Sequence, residues 1–150
     1  MVVHADSSLR IAIEEDLCVL RWIDTPEVSS FEAITTVTHM ATPQSPLTIL
    51  SVADSPGKML RLDKLHLAAA VRMSEALEPS TRAVAHVILM DGFVGSTARM
   101  FVATLMHLRR SRHPSKVFGT RAEGQAWLAP FVSTPALASR MDVLFESLRS

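Results

Sequence analysis

The sequence predicts an α/β fold: a mainly parallel or mixed sheet with an N-terminal β-hairpin and helices packed on it. Two observations indicate this class. After an opening pair of strands, short apolar runs alternate with segments of helical periodicity, and proline, glycine or capping residues separate them. Parallel strands need a long crossover connection, usually a helix, so this order favours a sheet covered on both faces.

The hairpin is predicted from "LRIAIEEDLCVLRWI", residues 9–23. Leu9, Ile11 and Ile13 alternate with other residues, which is typical of a half-buried strand, and Glu15-Asp16 supplies the turn. The second strand is apolar on both faces except at Arg21. We therefore expect it to lie deeper in the sheet.

The remaining elements follow in chain order. Further strands are predicted at residues 47–53, 83–90 and 116–119, and helices near residues 29–41, 63–78, 96–110, 120–129 and 134–149. Ser29 with Glu32 and Thr120 with Glu123 have the spacing of a capping box, and Asp63 is a predicted N-cap. No repeat or linker divides the chain. We expect one domain over residues 1–150, with the C-terminal helix at about 134–149 as an appendage.

Composition excludes several classes of protein. Lys plus Arg and Asp plus Glu both number 15, so no nucleic-acid partner is expected. Cys18 is the only cysteine, which excludes an intrachain disulfide and a cysteine-based zinc cluster. A buried, unreactive thiol is the favoured interpretation of Cys18.

The same composition bears on localisation. The most apolar stretch, residues 84–108, is interrupted by polar residues and glycines, so no stable membrane insertion is expected. The first ten residues lack the basic start and apolar core of a signal peptide. A cytoplasmic location is therefore the expectation.

Three segments carry a resemblance to a known family. They are the opening hairpin with Trp22 before a proline-led helix, the buried runs "LTILSVAD" and "AVAHVILM", and the strand-helix ending "VFGTRAEGQAWL". With them, about residues 9–130 resemble the STAS and SpoIIAA-like group of small bacterial domains.

The resemblance implies a function without catalysis. Members of that group are mostly adaptors that bind regulatory kinases, anti-sigma factors or other proteins. The chain is accordingly expected to be a regulatory or adaptor domain with a protein partner and no cofactor, and the absence of enzymatic activity is the favoured alternative. In some members a serine or threonine opening the second helix is phosphorylated, but "RLDKLHL" has no hydroxyl there, and Ser55 lies several residues earlier.

The loop "ADSPGK" follows a predicted strand and has two interpretations, a phosphate-binding loop or a turn. A Walker loop requires glycine, four residues, and then Gly-Lys-Ser/Thr; Val52 and Met59 occupy the first and last of those positions. Ser55-Pro56-Gly57 suits a turn, although modification of Ser55 stays an alternative. Asp54 and Ser55 follow a parallel strand, where open α/β sheets bind ligands, so they form one candidate site.

The second candidate is "DGFVGSTARM", in which glycines lead into a helix. Exposed amides there, with Gly95, Ser96, Thr97 and Arg99, could hold a phosphate or carboxylate. The alternative is that Ser96 only caps the helix. Together with Asp54 and Ser55, these residues support the second functional hypothesis, a protein or enzyme that binds a small anionic ligand.

No catalytic or metal-binding set is predicted. The six histidines lack ligand spacing, and His86, inside an apolar strand, is interpreted as a core residue. The basic cluster of Arg109, Arg110, Arg112 and Lys116 complements a helix end or, in a third hypothesis, contacts a membrane surface.

The third helix leaves little polar surface over residues 100–108. Such a helix must be covered on most sides, either by the terminal helix or by a second chain. A symmetric homodimer is the favoured alternative.

Overall fold

The computed structural model describes residues 1–41, 46–54, 62–108 and 112–149, except the side chain of Ala41. One sheet of six strands runs in the order β1-β2-β3-β4-β5-β6. The strands are β1 Val2–Ala5, β2 Leu9–Glu14, β3 Leu17–Trp22, β4 Leu47–Ala53, β5 Thr81–Ile88 and β6 Ser115–Phe118. The helices are α1 Val28–Ala41, α2 Lys64–Leu77, α3 Gly92–Leu108, α4 Arg121–Leu128, α5 Pro135–Ala138 and α6 Met141–Ser147, and short 3₁₀ turns follow α2 and α4.

The sheet is mixed, as predicted. Strands β1 to β3 pair antiparallel, whereas β3 to β6 pair parallel, each through a crossover that contains a helix. β4 and β5 are neighbours in the parallel part of the sheet, which helices cover on both faces, and this explains why both strands are largely apolar on their two faces. The predicted bounds of β4 are confirmed.

The first strand was not predicted. β1 is only four residues long and largely exposed, and it pairs along the edge of β2. Asp6 forms the turn between them by accepting hydrogen bonds from the amides of Ser8 and Leu9 at 2.7 and 2.8 Å. Four residues are too few to show an alternation of apolar and polar side chains, so the sequence does not predict this strand. It forms by pairing with β2.

The helices cover the sheet in two layers. On one face, α1, α2 and α3 pack over a core of Leu9, Ile11, Leu20, Trp22, Ile49 and Val84, among others. On the other face, α4, α5 and α6 pack over Leu17, Val19, Leu50, Val52, Ala85 and Val87, among others. The terminal helices therefore do not cover α3, which lies on the opposite face.

Two of the predicted helix starts are confirmed. Asp63 caps α2 by accepting from the amides of Leu65 and His66, and Nδ1 of the His66 ring lies 2.8 Å from the same carboxylate oxygen. The hydrogen bond from this ring is the largest cause that lowers the pKa of Asp63. Thr120 likewise caps α4 by accepting from the amide of Glu123 at 3.2 Å.

The predicted capping box at Ser29 and Glu32 is wrong. α1 begins at Val28, so Ser29 already lies inside the helix. The backbone carbonyl of Glu27 accepts from the amide of Ser30, whose hydroxyl accepts in return from the amide of Glu27. Only one half of a capping box is therefore present, two residues earlier, in which the Ser30 hydroxyl accepts from the backbone amide of Glu27.

The bounds of two other helices differ from the prediction. α3 begins at Gly92, four residues before the predicted start at Ser96, because Gly92 with a φ of 65° turns the chain directly after Met90 and Asp91. The predicted end at Arg110 lies outside the described residues. The single helix predicted from 134 to 149 is two helices, since the chain turns at Ser139 and Arg140 between α5 and α6.

This turn is held to the sheet by an ion pair. Nε and Nη2 of Arg140 donate to Oε2 and Oε1 of Glu14 at 2.8 and 3.0 Å. The hydrogen bond from Arg140 is the main cause that lowers the pKa of Glu14 below its ordinary value of 4.5. A lowered pKa stabilises the fold above the unfolded-state value, and this stabilisation is lost as pH falls through the folded-state value.

We therefore expect Arg140→Gln to return the pKa of Glu14 towards its ordinary value and to flatten the acid-induced loss of stability in that pH range. An NMR titration of the Glu14 carboxyl carbon measures the first effect. Arg149→Gln is the control, because Arg149 pairs with Glu146 on the exposed end of α6. An unchanged Glu14 pKa in Arg140→Gln would contradict the assignment.

Candidate functional site

The first predicted site lies at the end of β4. Oδ2 of Asp54 is 2.9 Å from Nη2 of Arg21 on β3, and the guanidinium of Arg21 stacks 4.4 Å from the ring centroid of Phe145. The carboxylate is thus already paired, on the face that α6 covers. Ser55, together with the loop through Lys58, lies outside the described residues.

The second predicted site lies in the first turns of α3. Gly95 is buried, and a Cβ added to it would overlap the carbonyl oxygen of Met90. Ser96 is exposed and is the fifth residue of the helix, so the alternative in which it caps the helix is wrong. Thr97 donates to the carbonyl of Phe93 at 2.9 Å, and Arg99 donates to that of Met90 at 3.2 Å.

The polar atoms of this segment therefore serve the backbone of their own helix and the preceding loop. The hydrogen bonds of Thr97 and Arg99 go to the carbonyls of Phe93 and Met90, and neither bond involves Asp54. Binding of an anion at Asp54, Ser55, Gly95, Ser96, Thr97 and Arg99 stays a prediction.

The structure reveals a feature that was not predicted, a cavity of about 130 Å³ between α1, α2, α3 and the sheet. We call it the α3 cavity. Its floor is formed by β3, β4 and β5, and its walls by the apolar faces of the three helices. The lining residues that determine its chemical character include Trp22, Phe31, Ser51, His86, Ala98 and Phe101.

Aromatic rings form one wall of the α3 cavity. The rings of Trp22 and Phe31 are 5.5 Å apart between centroids and tilted by 45°, and those of Phe31 and Phe101 are 6.3 Å apart and inclined by 27°. These are ordinary distances for interacting aromatic pairs. The three rings link β3, α1 and α3 into a single apolar surface.

Two polar side chains interrupt the floor. The register of the parallel strands places Ser51 of β4 directly beside His86 of β5. The indole Nε1 of Trp22 donates to Oγ of Ser51 at 3.1 Å. His86 is half-buried and lines the α3 cavity, so the predicted core histidine borders an internal space.

The cavity lining carries little charge. Among the described residues that line it, none is lysine or arginine, and Asp24 is the sole carboxylate. Nδ1 of His113 lies 2.9 Å from Oε2 of Glu78, where α2 ends. The lining is therefore suited to a neutral molecule.

Cys18 offers no reactive group to this region. It is fully buried on β3, and burial raises the pKa of its thiol to about 12. The prediction that the thiol is buried is confirmed. In the described part of the chain, no group of three or more histidine, cysteine or acidic residues is arranged to hold a metal ion.

The basic cluster is partly visible. The backbone amide of Arg112 donates to Oε1 of Glu78 at 2.6 Å, and Nζ of Lys116 lies 5.6 Å from the ring centroid of Phe118. Arg109 and Arg110 lie outside the described residues. No helix in the described ranges is long and apolar enough to cross a bilayer.

Comparison with known proteins identifies the architecture. No family model and no curated protein matches the chain. A crystal structure of an uncharacterized protein of the DUF3478 family from Shewanella loihica PV-4, described as having a SpoIIAA-like fold, matches with a TM-score of 0.51 and 15% identity. The match covers 81% of this chain and 92% of the other.

The chain has a SpoIIAA-like fold. This confirms the predicted fold class and the resemblance that led to it. At this identity, the likeness concerns the fold alone.

One surface of this SpoIIAA-like fold is exposed and apolar. Phe93, Met100 and Leu108 of α3 are 80%, 71% and 53% exposed and recur at helical spacing on one side. Thr97 and Thr104 lie between them, and their hydroxyls donate to the carbonyls of Phe93 and Met100. Since these hydroxyls are satisfied within the helix, the five residues form a continuous apolar surface, the α3 stripe.

Proposed function

We propose that this chain is a non-catalytic regulatory or adaptor domain of bacterial, cytoplasmic type that acts through protein–protein contact. The observation that carries the proposal is the α3 stripe. Exposed apolar patches in soluble proteins mark surfaces that another molecule covers. The stripe extends over most of α3, a length of about 22 Å at 1.5 Å per residue.

The charge of α3 favours a second copy of this chain as the occupant. Between Gly92 and Leu108 the helix has no acidic residue and no lysine. Arg99 is engaged with the carbonyl of Met90. Two such stripes can therefore meet across a two-fold axis without burying a lysine or a carboxylate of α3.

Two groups that could take part in catalysis, a carboxylate and a thiol, are paired or buried, and this supports a function without catalysis. The Asp54 carboxylate is paired with Arg21, and the Cys18 thiol is buried with a raised pKa. The anionic-ligand hypothesis gains less support, because Thr97 and Arg99 donate to backbone carbonyls. A contact surface is the property that the geometry favours best.

The start of α2 offers no serine or threonine hydroxyl that a kinase could phosphorylate. Asp63 occupies the N-cap, and its carboxylate already accepts from two backbone amides. We infer that contact through the α3 stripe is independent of a phosphoryl group at this position.

The proposal predicts self-association that one substitution weakens. Wild-type protein is expected to form dimers in sedimentation equilibrium. Met100→Lys should raise the dimer dissociation constant more than about tenfold, because a buried, unpaired ammonium group opposes association.

Val143→Lys is the matched control, since Val143 is 52% exposed on α6, on the opposite face of the sheet. It should leave the dissociation constant unchanged. A wild-type protein that stays monomeric at every concentration tested and turns over a metabolite in activity screening would contradict the proposed function. Equal weakening by both lysines would refute the assignment to the α3 stripe.

A further inference from the structure

We propose that the α3 cavity is a binding site for a small, neutral aromatic molecule that carries one hydrogen-bonding group. The site is separate from the α3 stripe, because it lies on the inner side of the same helix. Ala98, Phe101 and Leu105 of α3 line it, whereas Phe93, Met100 and Leu108 do not.

The size of the cavity limits the ligand to about one ring. Its volume is about 130 Å³. An engineered apolar cavity of about 150 Å³ in another protein stays dry and binds benzene. A single six-membered ring with a small substituent fits this space, whereas a long acyl chain or a nucleotide does not.

The walls favour an aromatic ring over an aliphatic one. Trp22, Phe31 and Phe101 present faces and edges of π systems within one connected cluster. A fourth ring placed among them gains edge-to-face or offset-stacked contacts, which are worth more than their buried area alone. Because the helices and the sheet already hold these three rings, binding orders few further side chains.

The floor supplies the polar contact. A serine hydroxyl has two acceptor positions and one donor. In Ser51, one acceptor position receives the indole N–H of Trp22, and the hydroxyl hydrogen has no acceptor among the described residues. An oxygen atom of the ligand could therefore accept a hydrogen bond from the Ser51 hydroxyl, which lies beside His86 on the floor of the cavity.

The lining selects against a charged ligand. An anion in the cavity would find no lysine or arginine among the described lining residues and would lie near the Asp24 carboxylate. Burying a carboxylate costs far more than burying a neutral hydroxyl, so the site should prefer phenol to benzoate of similar shape.

The test measures the binding of benzene, phenol and benzoate to the full chain by NMR chemical-shift titration. We expect benzene and phenol to shift resonances of Trp22 and Phe101, with phenol the tighter of the two, and benzoate to bind more than about tenfold more weakly than phenol. If neither benzene nor phenol binds, or if benzoate binds as tightly as phenol, the proposal is overturned.

A cavity-filling variant locates the site. Ala98→Leu adds three carbon atoms inside the cavity and should weaken the binding of both benzene and phenol more than about tenfold. Ala103→Leu is the matched control, because Ala103 is exposed on the same helix and does not line the cavity. Unchanged binding in a folded Ala98→Leu protein, or equal weakening by both leucines, would overturn the location.

Ser51→Ala tests the polar contact even if Ala98→Leu does not fold. Loss of the hydroxyl should remove the advantage of phenol over benzene while benzene binds as before. If phenol keeps its full advantage in Ser51→Ala, Ser51 does not contact the ligand and this part of the proposal fails.

Discussion

Replacing Leu144 with alanine is expected to lower the free energy of unfolding by about 2–5 kcal/mol, the usual cost of deleting a buried leucine side chain. Leu144 lies on α6, is 2% exposed, and belongs to the core that includes Leu17 and Val19 of the sheet. The deletion removes apolar contacts and leaves a space that α6 and the sheet cannot fully close. Urea denaturation monitored by circular dichroism measures the effect.

Val143→Ala is the matched control, because Val143 is the preceding residue of the same helix and is 52% exposed. Its expected cost is within about 0.5 kcal/mol. The pair of variants also tests domain organisation. If Leu144→Ala costs no more than Val143→Ala, the terminal helices are the appendage that the sequence predicts. If it costs several times more, they are part of the core.

The central part of the sheet could be predicted because local signals agree there. β4 is a continuous apolar run that follows Pro46 and ends before Asp54, so its bounds follow from composition. The starts of α2 and α4 were also readable, since Asp63 and Thr120 satisfy backbone amides through their own side chains. These features depend on residues within a few positions of each other.

The buried face of α2 was only partly predicted. The apolar residues that recur at helical spacing, Leu62, Leu65, Ala69, Met73 and Ala76, predict a buried stripe on α2, yet Leu65 is 70% exposed and Ala76 is also exposed. The buried residues are Ala69, Ala70, Ser74 and Leu77. α2 packs beside α1 as well as on the sheet, and small side chains permit this approach, so hydrophobicity alone selects the wrong side of the helix.

The α3 cavity depends on strand register, which the sequence does not encode locally. Ser51 and His86 are 35 positions apart; the sequence alone gives His86 as a core residue and does not single out Ser51. The parallel pairing of β4 with β5 brings them side by side, and a shift of one residue would turn one of them to the opposite face. The signal was present as a polar residue inside each apolar run, but only the register shows that the two lie side by side.

Replacing Gly95 with alanine is expected to lower the free energy of unfolding by about 1–3 kcal/mol, which is the usual cost of forcing an extra methyl group into a packed site. The added Cβ would overlap the backbone carbonyl oxygen of Met90 and lie 2.8 Å from its carbonyl carbon. A backbone group cannot move aside as a flexible side chain can. The start of α3 must therefore shift away from the end of β5.

The direction of this effect makes the test decisive. At an unconstrained helical position, glycine to alanine stabilises a protein by about 0.5–1 kcal/mol, so the two cases have opposite signs. Gly119→Ala, in the turn between β6 and α4, is the control for adding a methyl group without a clash, because no atom lies within 4 Å of a Cβ built there. Urea denaturation of both variants measures the difference. A Gly95→Ala protein as stable as the wild type would show that α3 is free to move relative to Met90, which would also remove the fixed wall on which a cavity of defined size depends.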